Sequence, residues 1–186
     1  MKERIAALVG EEKARMLNMG TFHSVFSRIL RIEATSIGYT PQFTIYDESD
    51  SRSLLKTIVK EMELDDKTYK SAEVHKRISL AKNRIEQPAD YERSEAYRSY
   101  DSASGMEKMP EIYARYQARL HQANAMDFDD ILLYTYILLY KNVELQRKYG
   151  ERFKFVLVDE YQDTNAVQQK IVNMIVGSHN KICVVG

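Results

Sequence analysis

A chain of 186 residues with 44% hydrophobic content can bury the core of one ordinary domain or two small ones, and its 3 prolines and 7 glycines argue for a largely helical fold over a loop-rich or all-β one. The single cysteine, Cys183, excludes an internal disulfide framework and a cysteine-based zinc site, and fits a reducing cytoplasm. Net charge is zero, 27 basic residues against 27 acidic, so nucleic acid cannot be held by bulk charge and any such contact must come from local patches.

Residues 1–12 read as the end of a helix, with Ile5, Leu8 and Val9 on one side and Gly10 as its stop. They hold no apolar core of the kind a secretory signal needs. From Thr21 the pattern is a clear amphipathic helix, with Phe22, Val25, Phe26, Ile29 and Leu30 in helical phase until the Gly38–Pro41 breaker. FTIYDESD (Phe43 to Asp50) is a short extended piece running into Asp and Ser capping candidates. A helix with Leu54, Leu55, Ile58, Val59 and Met62 follows. The next has Val74, Ile78, Ala81 and Ile85 on one face and stops before Pro88. Its other side carries Lys76, Arg77, Asn83 and Arg84. It belongs to the one basic patch of the chain, where Lys67, Lys70, Lys76, Arg77, Lys82 and Arg84 stand against a single acid, Glu73.

Tyr91 to Tyr100 reads as a polar helix, SASG at 102–105 as a loop, and Ile112, Tyr113, Tyr116 and Leu120 as a further helix after Pro110. Asp127 stands where an N-cap for the apolar segment 128–141 belongs. The β-branched and aromatic content of that segment would also suit a strand, but the cap and the length favour a helix. Its apolar run, Ile131 to Tyr140, is ten residues long. A membrane span needs about 20, so the run is a buried element of a soluble protein.

The pattern changes at the C-terminal end. KFVLV (Lys154 to Val158) is a continuous apolar run, as expected of a strand buried on both faces of a parallel sheet. A helix with Val167, Ile171, Met174 and Ile175 leads to a second such run, KICVVG (Lys181 to Gly186). Together they make a βαβ unit with an expected right-handed crossover. The fold class is α/β, mostly helical. In the simplest organisation 1–42 and 126–186 form one α/β domain and 43–125 is a helical insertion.

In open parallel sheets ligands sit at the carboxyl ends of the strands, and Asp159 and Glu160 stand immediately after the first apolar run. One carboxylate there can hold Mg²⁺ through water beside nucleotide phosphates, and a second can orient and deprotonate an attacking water. A bare Asp-Glu at a strand end is common, because acids suit the start of a following helix. Here Gln162, Asp163, Thr164 and Asn165 follow at once, and polar groups packed this densely need partners. No histidine cluster has the spacing of a transition-metal site.

DEYQDTN (Asp159 to Asn165) resembles the Walker B motif of the UvrD/PcrA/Rep-type superfamily 1 DNA helicases. GTFHS (Gly20 to Ser24) looks like that family's single-strand-contacting motif, and MDFDDILL (Met126 to Leu133) like its Asp-Phe-Asp-Asp helix start. The closing VVG looks like the approach to its next motif. The resemblance implies part of a RecA-like P-loop NTPase domain, 1A, wrapped around an inserted helical domain, 1B. It implies ATP and Mg²⁺ as cofactors, and single-stranded DNA and single–double strand junctions as partners. By resemblance Asp159 holds the metal through water, Glu160 activates water and Gln162 links the nucleotide state to neighbouring motifs. Thr21 and His23 would lie near the single strand.

Phe22 stays open, since its phase with Phe26 and Ile29 points to the core, and TFHS by itself reads as a capped helix start. Arg77 and Arg84 are either part of a solvated helix face or a phosphate-contacting face of the insertion near the duplex. No phosphate-cradling G-x-x-x-x-G-K-[ST] occurs in the chain, so it is expected to be an internal fragment, inactive alone. Two rivals remain: the helicase part of a RecB- or AddA-like helicase–nuclease, and a non-hydrolysing DNA-binding module with a relic Walker B.

Overall fold

The structure, a computed structural model, describes residues 2–186; Met1, the start of the first expected helix, lies outside the described residues. The N-terminal segment forms α1 (Lys2–Val9) and α2 (Glu11–Met16), parted at Gly10, whose φ of 89° favours glycine. The amphipathic helix after Thr21 is α3 (Phe22–Ile32), with Phe26, Ile29 and Leu30 buried. A 3₁₀ turn over Ala34–Ile37 follows.

The chain then leaves through β1 (Thr44–Tyr46) into five helices: α4 (Glu48–Glu61), α5 (Ser71–Asn83), α6 (Pro88–Arg93), α7 (Glu95–Ala103) and α8 (Met109–Gln122). It returns through β2 (Ala125–Asp127), which lies parallel to β1 with Thr44 opposite Ala125 and Tyr46 opposite Asp127. The helical stretch is therefore a closed excursion whose exit and entry strands are neighbours. After β2 come α9 (Phe128–Lys141), α10 (Val143–Arg152), β3 (Val156–Val158), α11 (Ala166–Val176) and β4 (Ile182–Val184), with β3 and β4 parallel.

Two main clusters of buried side chains hold these elements. Leu55, Ile58, Val74, Ile78, Tyr113 and Tyr116 centre the first, inside the five-helix excursion. Phe26, Leu30, Ile131, Leu139, Tyr149 and Ile171 centre the second, joining α3, α9, α10 and α11. Each such side chain, fully buried, stabilises the fold by about 2 kcal/mol before the entropy of ordering it is counted. Helix starts are set by side chains. Asp47 and Asp50, Asp127 and Asp130, and Asn165 and Gln168 each form a reciprocal capping box, opening α4, α9 and α11. Among the described residues no helix is long and apolar enough to cross a membrane.

The structure departs from the sequence reading at several elements. The polar helix over 91–100 is two helices, because Ser94 leaves helical geometry at ψ 117° and its hydroxyl caps α7 by accepting the Tyr97 N–H. Ser102 and Ala103 of the expected loop still belong to α7, and the turn comes at Ser104–Gly105, where Gly105 has φ 66°. Ile85 lies beyond α5 at φ 66° and packs on the second cluster, not with Val74 and Ile78. Strand β2 and helix α10 were not foreseen; three residues show no alternation, and α10 offers only Leu145 and Tyr149 as inward apolar positions.

The β3 strand is not buried on both faces. Val158 is buried against Val172 and Val176 of α11, but Leu157 is 74% exposed. Among the described residues strands β3 and β4 pair only with each other, and no layer covers their second face, which carries the paired Leu157 and Cys183, both exposed.

Candidate functional site

The backbone ladder continues past the formal ends of β3 and β4. Val185 N–H donates to the Val158 carbonyl and Tyr161 N–H to the Val185 carbonyl, each at 2.9 Å. The intervening Asp159 and Glu160 are thereby fixed at the carboxyl edge of the strand pair, both exposed. Glu160 sits in the left-handed region at φ 52°, ψ 43°. That conformation costs a non-glycine residue about 1 kcal/mol. Asp159 Oδ1 accepts the Glu160 N–H at 3.0 Å. Among the described residues no lysine, arginine or histidine pairs with either carboxylate.

Behind them Tyr161–Asp163 forms a 3₁₀ turn, pinned by Thr164, whose hydroxyl donates to the Tyr161 carbonyl at 2.6 Å and accepts from Gln169 Nε2 at 3.0 Å. The Gln162 side chain lies over Gly186, where a Cβ would come within 2.0 Å of its Oε1.

Among the described residues no three His, Cys, Asp or Glu side chains converge on a metal cage. The donors present still fit Mg²⁺, which is held by one or two carboxylates, several waters and phosphate oxygens. Two exposed carboxylates free of cationic partners are such a set.

The GTFHS segment folds as a capped helix start. Thr21 Oγ1 accepts the Ser24 N–H at 3.3 Å, and Ser24 Oγ donates to the Thr21 carbonyl at 3.0 Å. A Cβ on Gly20 would stand 2.1 Å from Ser24 Oγ, so the turn needs glycine there. Phe22 is half-buried, its ring 5.6 Å from Phe26, and it packs on both the α3–α9 core and the β3–α11 cluster. His23 meets the Phe128 ring edge-on at 5.4 Å. Burial holds its pKa below the usual histidine value, only partly offset by the Asp129 charge and the Phe128 backbone.

The basic patch is smaller than its sequence count. Arg77 does not project into solvent; it is 6% exposed. Its guanidinium binds Asp101 Oδ1 at 2.5 Å, Glu73 Oε1 at 3.0 Å and Ser104 Oγ at 3.0 Å, and lies 4.2 Å from the Tyr100 ring centre. Asn83 also faces inward, onto Asp129 and Asn165. Lys67, Lys70, Lys76 and Arg84 remain exposed. Lys70 and Lys76, with His75 and Arg52, line a shallow groove between α4 and α5 that Glu48 and Glu73 also enter.

The sixth basic residue of the patch, Lys82, is the centre of a site the sequence reading missed. Its Nζ lies 2.7 Å from Asp127 Oδ2 and 2.8 Å from Asp130 Oδ1, with all three side chains buried. Tyr116 hydroxyl donates to Asp127 Oδ2 at 2.9 Å, and Gln117 Nε2 to Asp130 Oδ1 at 3.0 Å. Burial alone would lower the Lys82 pKa, but the two carboxylates raise it well above the lysine range. Burial would raise Asp127, but the Lys82 charge and hydrogen bond hold it below the usual carboxylate value. Asp130 has the opposite fate: burial, then the charge of Asp127, push it up to about 7. The signal was in the phase of α5. Arg77 and Lys82 fall at i+3 and i+8 from Val74, inside the apolar stripe.

A family model described as UvrD/REP helicase N-terminal domain matches residues 1–186. Among curated proteins the chain is 38% identical over 186 residues to an "ATP-dependent DNA helicase PcrA" of Leuconostoc citreum, covering 100% of this chain and 24% of that protein. It is 36% identical to the "ATP-dependent DNA helicase PcrA" of Staphylococcus aureus (strain NCTC 8325 / PS 47) over 187 residues, again 100% of the chain and 24% of that protein. To "ATP-dependent DNA helicase UvrD1" of Mycobacterium leprae (strain TN) it is 42% identical over 178 residues, 95% of the chain and 22% of that protein. The chain belongs to the UvrD/REP helicase N-terminal domain family. It spans about a quarter of the length of the relatives it matches.

Proposed function

We propose that this chain is part of an ATP-dependent DNA helicase of the cytoplasm that translocates on single-stranded DNA and opens duplex at single–double strand junctions during replication or repair. The observation that carries the reading is the pair Asp159 and Glu160, exposed and, among the described residues, without cationic partners at the carboxyl edge of β3, in a chain matched over its whole length by the family. In this proposal residues 1–42 and 126–186 belong to a RecA-like domain 1A, and 43–125 form the inserted helical domain 1B. The parallel neighbours β1 and β2, which bracket the five-helix excursion and its separate core, support those boundaries.

Asp159 would hold Mg²⁺ through water, and Glu160 would accept a proton from the attacking water. When bound, the metal would neutralise charge on the transferred phosphoryl group. Gln162, over Gly186, would link the nucleotide edge to the segment after β4. Thr21 and His23 would stand beside the single strand, with the imidazole neutral at neutral pH. Phe22 serves as the core anchor of that helix start, and Arg84 with Lys76 as phosphate contacts of the insertion. Arg77 enters as an internal strut, its donors spent on Glu73, Asp101 and Ser104. Glu160→Gln in the full-length protein should keep ATP binding and lose DNA-stimulated ATPase by about 10²-fold or more, the usual contribution of a general base; unaffected turnover would sink the reading.

A further inference from the structure

The segment at the carboxyl edge of β3 and the segment that opens α9 beside His23 are joined by a side chain that belongs to neither. Asn83 is the last residue of α5, and both ends of its carboxamide are engaged. Its Oδ1 accepts from Asn165 Nδ2 at 3.0 Å, and its Nδ2 donates to Asp129 Oδ1 at 2.8 Å and to the Ser79 carbonyl at 2.9 Å. Asn165 and Asp129 are 82 and 46 residues away in sequence.

The order of donors and acceptors is set from both sides. Asn165 caps α11 by accepting the Gln168 N–H on Oδ1 at 2.8 Å, which leaves its NH₂ to face Asn83. Asp129 is a carboxylate and can only accept. The residue between must accept on one side and donate on the other, which a carboxamide does and a carboxylate cannot. Next along α5, Lys82 grips Asp127 and Asp130, so the first turn of α9 is held to α5 at three acids. On that turn Phe128 meets His23. A displacement of the loop that ends in Asn165 therefore has a route to the helix start at His23, through the two Asn83 hydrogen bonds and the Phe128–His23 ring contact.

We propose that Asn83 is a positioning residue that couples the nucleotide-side loop, through Asn165, to the strand-side contacts of Asp129, Phe128 and His23. The proposal rests on the helicase reading above. Apart from its chain neighbour Arg84, Asn83 touches none of the residues given a direct role there, so its loss should spare each site and weaken their communication.

The test is steady-state ATPase of the full-length protein, with and without a thymidine oligonucleotide. Asn83→Ala should leave DNA-free turnover within about twofold and cut the stimulation by single-stranded DNA about tenfold, within the range of coupling between linked sites. Asn83→Asp should lose stimulation as well, because it sets two carboxylates against each other. Adding Asp129→Asn to Asn83→Asp keeps the bond from Asn165 and rebuilds the one to residue 129 with donor and acceptor exchanged, giving up only the donation to the Ser79 carbonyl, and stimulation should return. Stimulation unchanged in Asn83→Ala overturns the proposal. So does parallel loss of basal and stimulated turnover that the exchanged pair does not restore, which is the mark of a purely structural residue. A wild-type enzyme whose ATPase ignores single-stranded DNA removes the helicase reading itself, before any variant is compared.

Discussion

The ammonium of Lys82 and the carboxylate of Asp130 meet at 2.8 Å with neither side chain exposed to water. Asp127 lies 2.7 Å from the same ammonium, so one cation serves two acids. Removing the cation leaves both acids buried without a counter-charge. Lys82→Met should therefore destabilise the protein by about 3–5 kcal/mol, the cost of breaking a buried pair by losing one partner. Urea unfolding measures it. A loss below about 1 kcal/mol, the range of exposed ion pairs, would mean that the triad is hydrated.

The same triad predicts a pH dependence of definite sign. Burial and the Asp127 charge raise Asp130 to about 7 in the fold, against about 3.9 in an unfolded chain. Between these values the folded protein holds a proton that the unfolded chain has released, so this group's contribution to stability falls as pH rises through the window. Asp127 is depressed; its contribution is present above the ordinary aspartate pKa and is lost only on further acidification. His23, also depressed, opposes Asp130, because its neutral form is the one the fold prefers and stability rises as it loses its proton. The difference between wild type and Asp130→Asn removes the His23 term and leaves that of the Asp127–Asp130 pair on Lys82, in which Asp130 supplies the change above pH 4. That difference in unfolding free energy should shift against the wild type from about pH 4 to about pH 7, and a flat difference would contradict the assignment.

What could be read in the sequence followed from local rules. Thr21, Asp47 and Asp127 cap helices, as side-chain oxygens before apolar periodicity should. The Asp159–Glu160 pair stands at the end of a strand. Arg77 and Lys82 count toward a basic patch in the sequence, yet both lie on the apolar stripe of α5, and their partners Asp101, Asp127 and Asp130 are 24 to 48 residues downstream. Pairing at that range leaves no local pattern. The Asn83 bridge was hidden for the same reason. Strand β2 escaped because its register is set by β1, on the far side of five helices.

Arg77 and Arg84, alike in the sequence, should behave differently. Arg77→Ala strips the counter-charge from Asp101, leaving it only the Tyr91 hydroxyl, at 3.0 and 3.1 Å from its two oxygens. The expected loss of stability is about 3 kcal/mol, with the salt dependence of DNA binding in the full-length protein unchanged. Lys76→Ala with Arg84→Ala should leave stability within about 0.5 kcal/mol. The same pair should reduce the slope of log affinity against log salt by about one for each phosphate no longer neutralised. A reduced slope in Arg77→Ala at unchanged stability would return that residue to the DNA face.

Gly186 offers a way to test Gln162 without touching it. A Cβ at 186 would stand 2.0 Å from Gln162 Oε1 and 3.0 Å from its Cδ, so Gly186→Ala must push the carboxamide aside. What yields is the end of a flexible side chain, and the cost to stability should stay below about 1 kcal/mol. In the full-length protein Gly186→Ala should then copy the loss of DNA-stimulated turnover expected of Gln162→Ala. The double variant should lose no more than either single one, because both remove the same placement of the same group. Additive losses would show that Gly186 serves something other than Gln162, and full activity in Gly186→Ala would show that the carboxamide works from another position.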